Sequence, residues 1–277
     1  MRKFTALLFC LFVINMGCST GSMENENVLN DDETESIVSE VVESKGEDEI
    51  EEVEVDNEER SDEIEVAAVP KYKLNPTNFL IQPREEGVNE KVVLLTIDDA
   101  PDQYGVKMAE ILHDLDVNAI FFMNGIFINK GSGKEQLKQI HELGFEIGNH
   151  TMTHKNLSEL SPEEQRKEII DLNDLIEEIT GERPRFFRAP YGANTDVSKQ
   201  VVEAEGMQWM NWTYGYDYFP EYMDAESLAE QMVNSELLMN GANLLMHDRK
   251  WTMEALRDIV KGLKDKGFDI VDPKEIK

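Results

Sequence analysis

Residues 91–97, KVVLLTI, followed at once by Asp98-Asp99, decide the architecture of this chain. The run is almost wholly β-branched or Leu with no polar alternation, the pattern of a strand buried on both faces. From about Pro70 onward, segments of this kind alternate with helix-like ones. Residues 104–115 carry apolar side chains at helical spacing, and 119–122 (AIFF) read as the next strand. A helix over 133–143 is closed by Gly144 and followed by a short strand at 145–147. Ser161 is placed to cap a long amphipathic helix that has Pro162 at its first position and ends near Gly181. Further strands are expected at 185–188, 208–212, 243–246 and 268–271, with helices at 195–205, 225–238 and 252–266 between them. Strand-then-helix repetition with buried strands implies a parallel sheet, and a chain of this length suggests an α/β barrel.

The residues before this body have a different composition. The chain of 277 residues has a formal net charge of −30, and residues 24–66 alone hold 20 acidic side chains against Lys45 and Arg60. That tract has no aromatic residue and its few Val and Ile stand between like charges, so residues 19–69 are expected to form a disordered acidic tether. Residues 1–18 look like an export signal, with Arg2 and Lys3 ahead of an apolar run too short for a membrane span. Gly17-Cys18 after that run resembles the lipobox of bacterial lipoproteins, with Cys18 as the lipidated residue, although Asn15 and Met16 depart from it. The expectation is an exported protein anchored to the bacterial membrane and facing outward, with plain secretion or an uncleaved anchor as the alternatives. The acidic balance argues against a nucleic-acid partner, and no protein partner is indicated. Cys10 and Cys18 are the only cysteines, so the body at 70–277 has no thiol nucleophile, and any metal site in it must use His and carboxylate.

In a β/α barrel the chemistry sits where strands end. Reading those positions in order gives Asp98-Asp99, His150 and His154, Arg188, Asp217 and His247. Adjacent carboxylates on an extended chain point in different directions, so one could serve a metal and the other a proton transfer without sharing a site; a solvated strand end or helix cap is the competing reading. His150 and His154 are spaced to share one metal ion from one face of a helical turn. His113 and His141 fall inside amphipathic helices and carry no such pattern.

Five segments in order then resemble the motifs of the polysaccharide deacetylase family, carbohydrate esterase family four with its NodB homology domain. They are Thr96-Ile97-Asp98-Asp99-Ala100-Pro101, residues 119–125 (AIFFMNG), residues 144–154 (GFEIGNHTMTH), Phe187-Arg188-Ala189-Pro190-Tyr191-Gly192 and Leu244-Leu245-Met246-His247-Asp248. The resemblance implies a deformed β/α barrel and a divalent metal, usually zinc, with cobalt, nickel or manganese as alternatives. By motif position Asp99, His150 and His154 would be the ligands and Asp98 the general base. His247 would be the general acid, Arg188 would orient Asp98, and Asp217 would hold His247 protonated. The backbone N–H of Tyr191 would stabilise the oxyanion, Leu245 would receive the acetyl methyl group, and Thr151 would brace the histidine loop. Two positions depart from the pattern: Ala100 stands where the first motif has Gly, and residues 211–219 (NWTYGYDYF) offer Asp217 followed by Tyr218 where two acids and Trp are usual.

The implied reaction is metal-dependent removal of N-acetyl groups from a cell-wall or extracellular polysaccharide, with N-acetylglucosamine of peptidoglycan as the leading substrate. N-acetylmuramic acid, chitin-type oligomers, poly-N-acetylglucosamine and O-acetylated xylan stay open, as does a metal hydrolase acting on an ester or cyclic amide. Tyr214, Tyr216, Tyr218, Phe219 and Tyr222 make an aromatic segment suited either to stacking on sugar rings or to ordinary packing. A non-catalytic envelope glycan-binding protein on the same fold is the competing class.

Overall fold

The computed structural model describes residues 70–277. Residues 1–18, with the expected signal and Cys18, and the expected tether at 19–69 lie outside the described residues. The chain begins with a hairpin, β1 (Tyr72–Leu74) and β2 (Ile81–Pro83), and continues through β3 (Val92–Ala100), α1 (Gly105–Asp114), β4 (Ile120–Met123), α2 (Gly125–Ile128), α3 (Gly133–Glu142) and β5 (Glu146–Asn149). After these come α4 (Pro162–Thr180), β6 (Phe186–Phe187), α5 (Asp196–Ala204), β7 (Gln208–Trp209), α6 (Ala225–Asn234), β8 (Ala242–His247), α7 (Lys250–Asp265) and β9 (Asp269–Ile270).

Seven strands form one parallel sheet in the order β7-β6-β5-β4-β3-β8, with β9 on the start of β3. The sheet curls because the chain leaving β7 bonds to both of its flanks. Met210 N–H donates to the Phe187 carbonyl on one side, while Thr213 N–H donates to Asn243 and Leu245 N–H to Tyr214 on the other. This is the deformed α/β barrel that the family resemblance implied.

All nine residues of β3 are buried, as an apolar run without alternation requires. Its Val93, Leu95 and Ile97 face the helices in one core cluster. Val92 and Leu94 face inward with Ile120, Phe122 and Phe186, and the hairpin residues Tyr72, Leu74 and Ile81 close this inner cluster. The capping signals also hold: Ser161 and Glu164 form a reciprocal capping box on α4, and Gly181 ends that helix at φ 80°.

Three expectations change. The β1–β2 hairpin and α2 are too short to leave a periodic signal. The helix expected over 225–238 stops at Asn234, because Ser235 turns extended, accepts the Leu237 N–H and hydrogen-bonds the Tyr216 hydroxyl. The strand expected over 208–212 is only two residues long, since its continuation crosses to β8.

Candidate active site

The carboxyl ends of β3, β5, β6 and β8 meet above the inner core, and backbone exceptions there aim the side chains. Asp99 has φ 63°, and the β3–β4 register shifts between Ile97 and Ala100. This bulge breaks the alternation that would have sent Asp98 and Asp99 to opposite faces. Both carboxylates therefore reach the same imidazole: His150 Nε2 lies 3.6 Å from Asp98 Oδ2 and 3.9 Å from Asp99 Oδ1. The expectation that they would not share a site is corrected on this point. Ala100 is fully buried among the helix-facing core residues, so its methyl group packs there.

The two histidines come together by a different route from the helical turn their spacing suggested. Residues 150–156 are irregular, and Thr151 and His154 both have left-handed backbones, at φ 69° and 54°. His154 N–H donates to Thr151 Oγ1 at 3.2 Å, so the Thr151 hydroxyl braces the loop. One side of α4 holds the rest. Glu168 accepts the Thr153 N–H at 2.7 Å and also its hydroxyl, while the Asn149 amide spans the Ile169 carbonyl and Asn173 at 2.8 and 2.7 Å. The rings of His150 and His154 meet edge to face with centroids 5.0 Å apart.

Ligand atoms of Asp99, His150 and His154 lie within 4.8 Å of one another. His150 Nδ1–H donates to the Arg188 carbonyl at 2.7 Å, which leaves its Nε2 lone pair facing the carboxylates. Burial pushes the His150 imidazole below its usual value, with Asp98 and Asp99 opposing, and this favours the neutral form that a ligand needs. Burial opposes ionisation of Asp99, but the His154 hydrogen bond and the neighbouring imidazoles outweigh it and hold the carboxyl well below the usual range. One carboxylate and two oriented imidazoles, with room on the cleft side, suit a divalent ion such as zinc.

Asp98 is fixed by Arg188, whose side chain is wholly buried. Arg188 Nη1 donates to Asp98 Oδ1 at 2.6 Å and to Thr96 Oγ1 at 2.8 Å, and Nη2 to the Asn211 carbonyl at 3.0 Å. The guanidinium lies over the Phe122 ring at 4.4 Å. Burial pushes its pKa down while the Asp98 charge and hydrogen bond hold it ionised. With Oδ1 occupied, Oδ2 is the Asp98 oxygen left towards the cleft.

Asp217 lies in the loop beyond β7, away from any strand end, yet it meets His247. Its Oδ1 accepts from His247 Nδ1 at 2.7 Å and its Oδ2 from the His247 N–H at 2.6 Å, with Thr252 Oγ1 also donating to Oδ2 at 2.8 Å. Burial pulls the His247 imidazole down, but the Asp217 charge and hydrogen bond outweigh it and hold the pKa above its usual value.

These groups line one cleft of about 530 Å³ that also takes in Tyr191, Leu245 and Tyr218. Leu245 is set by a close approach, since a Cβ on Gly215 would lie 2.5 Å from its carbonyl oxygen. Tyr191 has φ 60° and a 70% exposed side chain, and the bonds closing its turn use the N–H groups of Gly192 and Ala193. Tyr218 sets its ring edge to face with His247 at 5.8 Å. Four cleft residues escaped the sequence reading: Trp212, Met223, Trp251 and Arg249, whose Nη2 donates to Asp99 Oδ2 at 2.8 Å. The signal available for Arg249 was its place two residues beyond His247 at a strand end.

The family model described as polysaccharide deacetylase matches residues 85–210. A peptidoglycan-N-acetylglucosamine deacetylase of Bacillus cereus is 31% identical over 212 residues, 74% of this chain and 95% of that protein. The chain belongs to the polysaccharide deacetylase family. Among solved structures, the peptidoglycan deacetylase PdaC from Bacillus subtilis superposes with TM-score 0.59 at 29% identity, covering 68% of this chain and 91% of that one. A carbohydrate esterase family 4 pseudoenzyme from Bacillus anthracis gives TM-score 0.60 at 30% identity, over 66% of this chain and 63% of that one. The polysaccharide deacetylase fold thus carries both active and retired sites among the relatives of this chain. Among the described residues no helix is long and apolar enough to cross a membrane.

Proposed function

We propose that this protein hydrolyses N-acetyl groups of a cell-wall polysaccharide, with N-acetylglucosamine of peptidoglycan as the substrate. The observation that carries the reading is the meeting in one cleft of Asp98, the Asp99–His150–His154 cluster and the Asp217–His247 pair. Asp99, His150 and His154 would hold a divalent ion such as zinc, which would supply Lewis acidity towards the acetamide carbonyl and lower the pKa of the attacking water. Asp98 takes the proton from that water on Oδ2, because Arg188 occupies Oδ1. The Tyr191 N–H receives the developing oxyanion, and Leu245 receives the acetyl methyl. His247 then donates from Nε2 to the departing amine, as Asp217 on Nδ1 holds the ring protonated and oriented. Tyr218 and Tyr191 offer ring faces to the sugar.

A second hollow of about 630 Å³ opens beside His154 and Tyr191, lined by Lys155, Asn156, Glu159 and Leu160. His154 and Tyr191 line both hollows, which favours a polymer over a single sugar. The names of the relatives support peptidoglycan as the polymer. Residues 1–18 as a leader, Cys18 as a lipid anchor and 19–69 as a tether would present the domain at 70–277 to the cell wall from the outer membrane face.

The test is release of acetate and free amine by the full-length protein from peptidoglycan and N-acetylglucosamine oligomers, with zinc supplied or chelated. Equal, zinc-dependent release of both products is expected. Acetate without amine would make the protein an esterase, and tight glycan binding with neither product would make it a binding protein.

A further inference from the structure

Among the described residues, Arg249 is the arginine that pairs with the Asp99 carboxylate. Asp99 sits at the bulge near the end of β3 with a left-handed backbone, φ 63°. Oδ1 faces the histidines, 3.2 Å from His154 Nε2, while Oδ2 accepts from Arg249 Nη2 at 2.8 Å. The guanidinium is itself held, because Nη1 donates to the Asp248 carbonyl at 3.0 Å. Asp248 is in turn buried, and its carboxylate accepts the N–H groups of Asp102, Tyr104 and Gly105 at 2.7–2.8 Å, while its own N–H donates to the Asp98 carbonyl. One end of β8 thus grips the chain on both sides of Asp99 and reaches the carboxylate through Arg249.

We infer that Arg249 is a positioning residue that occupies Asp99 Oδ2 and so presents Oδ1 alone to the metal. The inference rests on the reading of Asp99, His150 and His154 as a metal site. Outer partners of ligating carboxylates fix the orientation of the donor atom, and their loss typically lowers metal affinity about 10–100-fold. Simple charge repulsion between guanidinium and metal predicts the opposite sign, so the two accounts separate cleanly.

The experiment is zinc affinity of the full-length protein, measured by competition with a chromophoric chelator for wild type, Arg249→Gln, Arg249→Lys and Asp99→Ala. Arg249→Gln is expected to weaken binding about 10–100-fold. Arg249→Lys is expected to recover most of that, since a single nitrogen meets Oδ2. The thermal midpoint of the metal-free protein should stay unchanged in both, because the Arg249 side chain is 34% exposed. Unchanged or tighter zinc binding in Arg249→Gln, with Asp99→Ala abolishing it, would overturn the positioning role and leave the metal site standing. Zinc binding that survives Asp99→Ala would overturn both.

Discussion

Arg185 and Arg188 flank the same two-residue strand, and each lies over a phenylalanine ring, yet they do different things. At the amino end of β6, Arg185 makes a forked pair with Glu146 at 3.1 and 2.7 Å and also donates to the Pro273 and Ile276 carbonyls. Its side chain stays 44% exposed and fastens the C-terminal segment under the sheet. At the carboxyl end, Arg188 is removed from water altogether and spends its charge on Asp98. The two differ in their end of the strand and not in chemistry, and this decides whether a guanidinium staples a surface segment or holds a buried carboxylate. The lower end is closed by the hairpin and an apolar cluster, whereas the upper end gathers buried charge around an open cleft.

The contrast between the two ends yields graded tests. The largest effects belong to the proton-transfer groups. Asp98→Asn should keep its zinc by elemental analysis yet lose about 10²–10⁴-fold in kcat, and His247→Ala should fall in the same range. Loss of zinc from Asp98→Asn would mean that Asp98 and Asp99 have been given each other's roles. Next come the arginines themselves. Arg188→Leu leaves Asp98 buried without its counter-ion and should cost about 3–5 kcal/mol in urea unfolding, whereas Arg185→Leu, on a partly exposed pair, should cost about 1 kcal/mol or less. Equal losses would remove the distinction between the two ends.

A smaller effect concerns pH. His247 must carry a proton to act as the acid, so kcat/KM should fall as pH rises through its pKa, which lies above the usual imidazole value. Asp217→Asn removes the charge that raises it, and the alkaline limb of the kcat/KM profile should move to lower pH. A limb that does not move would take His247 out of the proton inventory. The smallest effect is expected from deleting residues 24–66, which should leave turnover of soluble oligosaccharides unchanged, while a collapse would give that tract a part in the site.

Much of this was legible beforehand because it is local. The apolar run at 91–97, the Ser161–Glu164 box and Gly181 act on their own neighbourhood, and the structure keeps them with only small shifts of boundary. The order of motifs named the candidate residues, and those from β3, β5, β6 and β8 do converge. The manner of convergence was not legible. Spacing suggested a helical turn for His150 and His154, where two left-handed residues braced by Glu168 and Asn149 make an irregular loop. Alternation suggested opposite faces for Asp98 and Asp99, where a bulge turns both to one imidazole.

Sequence alone determined the parallel strands, the helix caps, the family and the identity of the groups that can ligate or carry protons, because burial pattern and side-chain chemistry belong to each residue. The family resemblance already pairs Arg188 with Asp98 and Asp217 with His247; only the tertiary structure decided that Arg188 is wholly buried, that Asp217 reaches His247 from a loop, and that Arg249 takes the outer oxygen of Asp99. Those outcomes depend on contacts between residues 30 to 150 positions apart, which exist only once the sheet has curled.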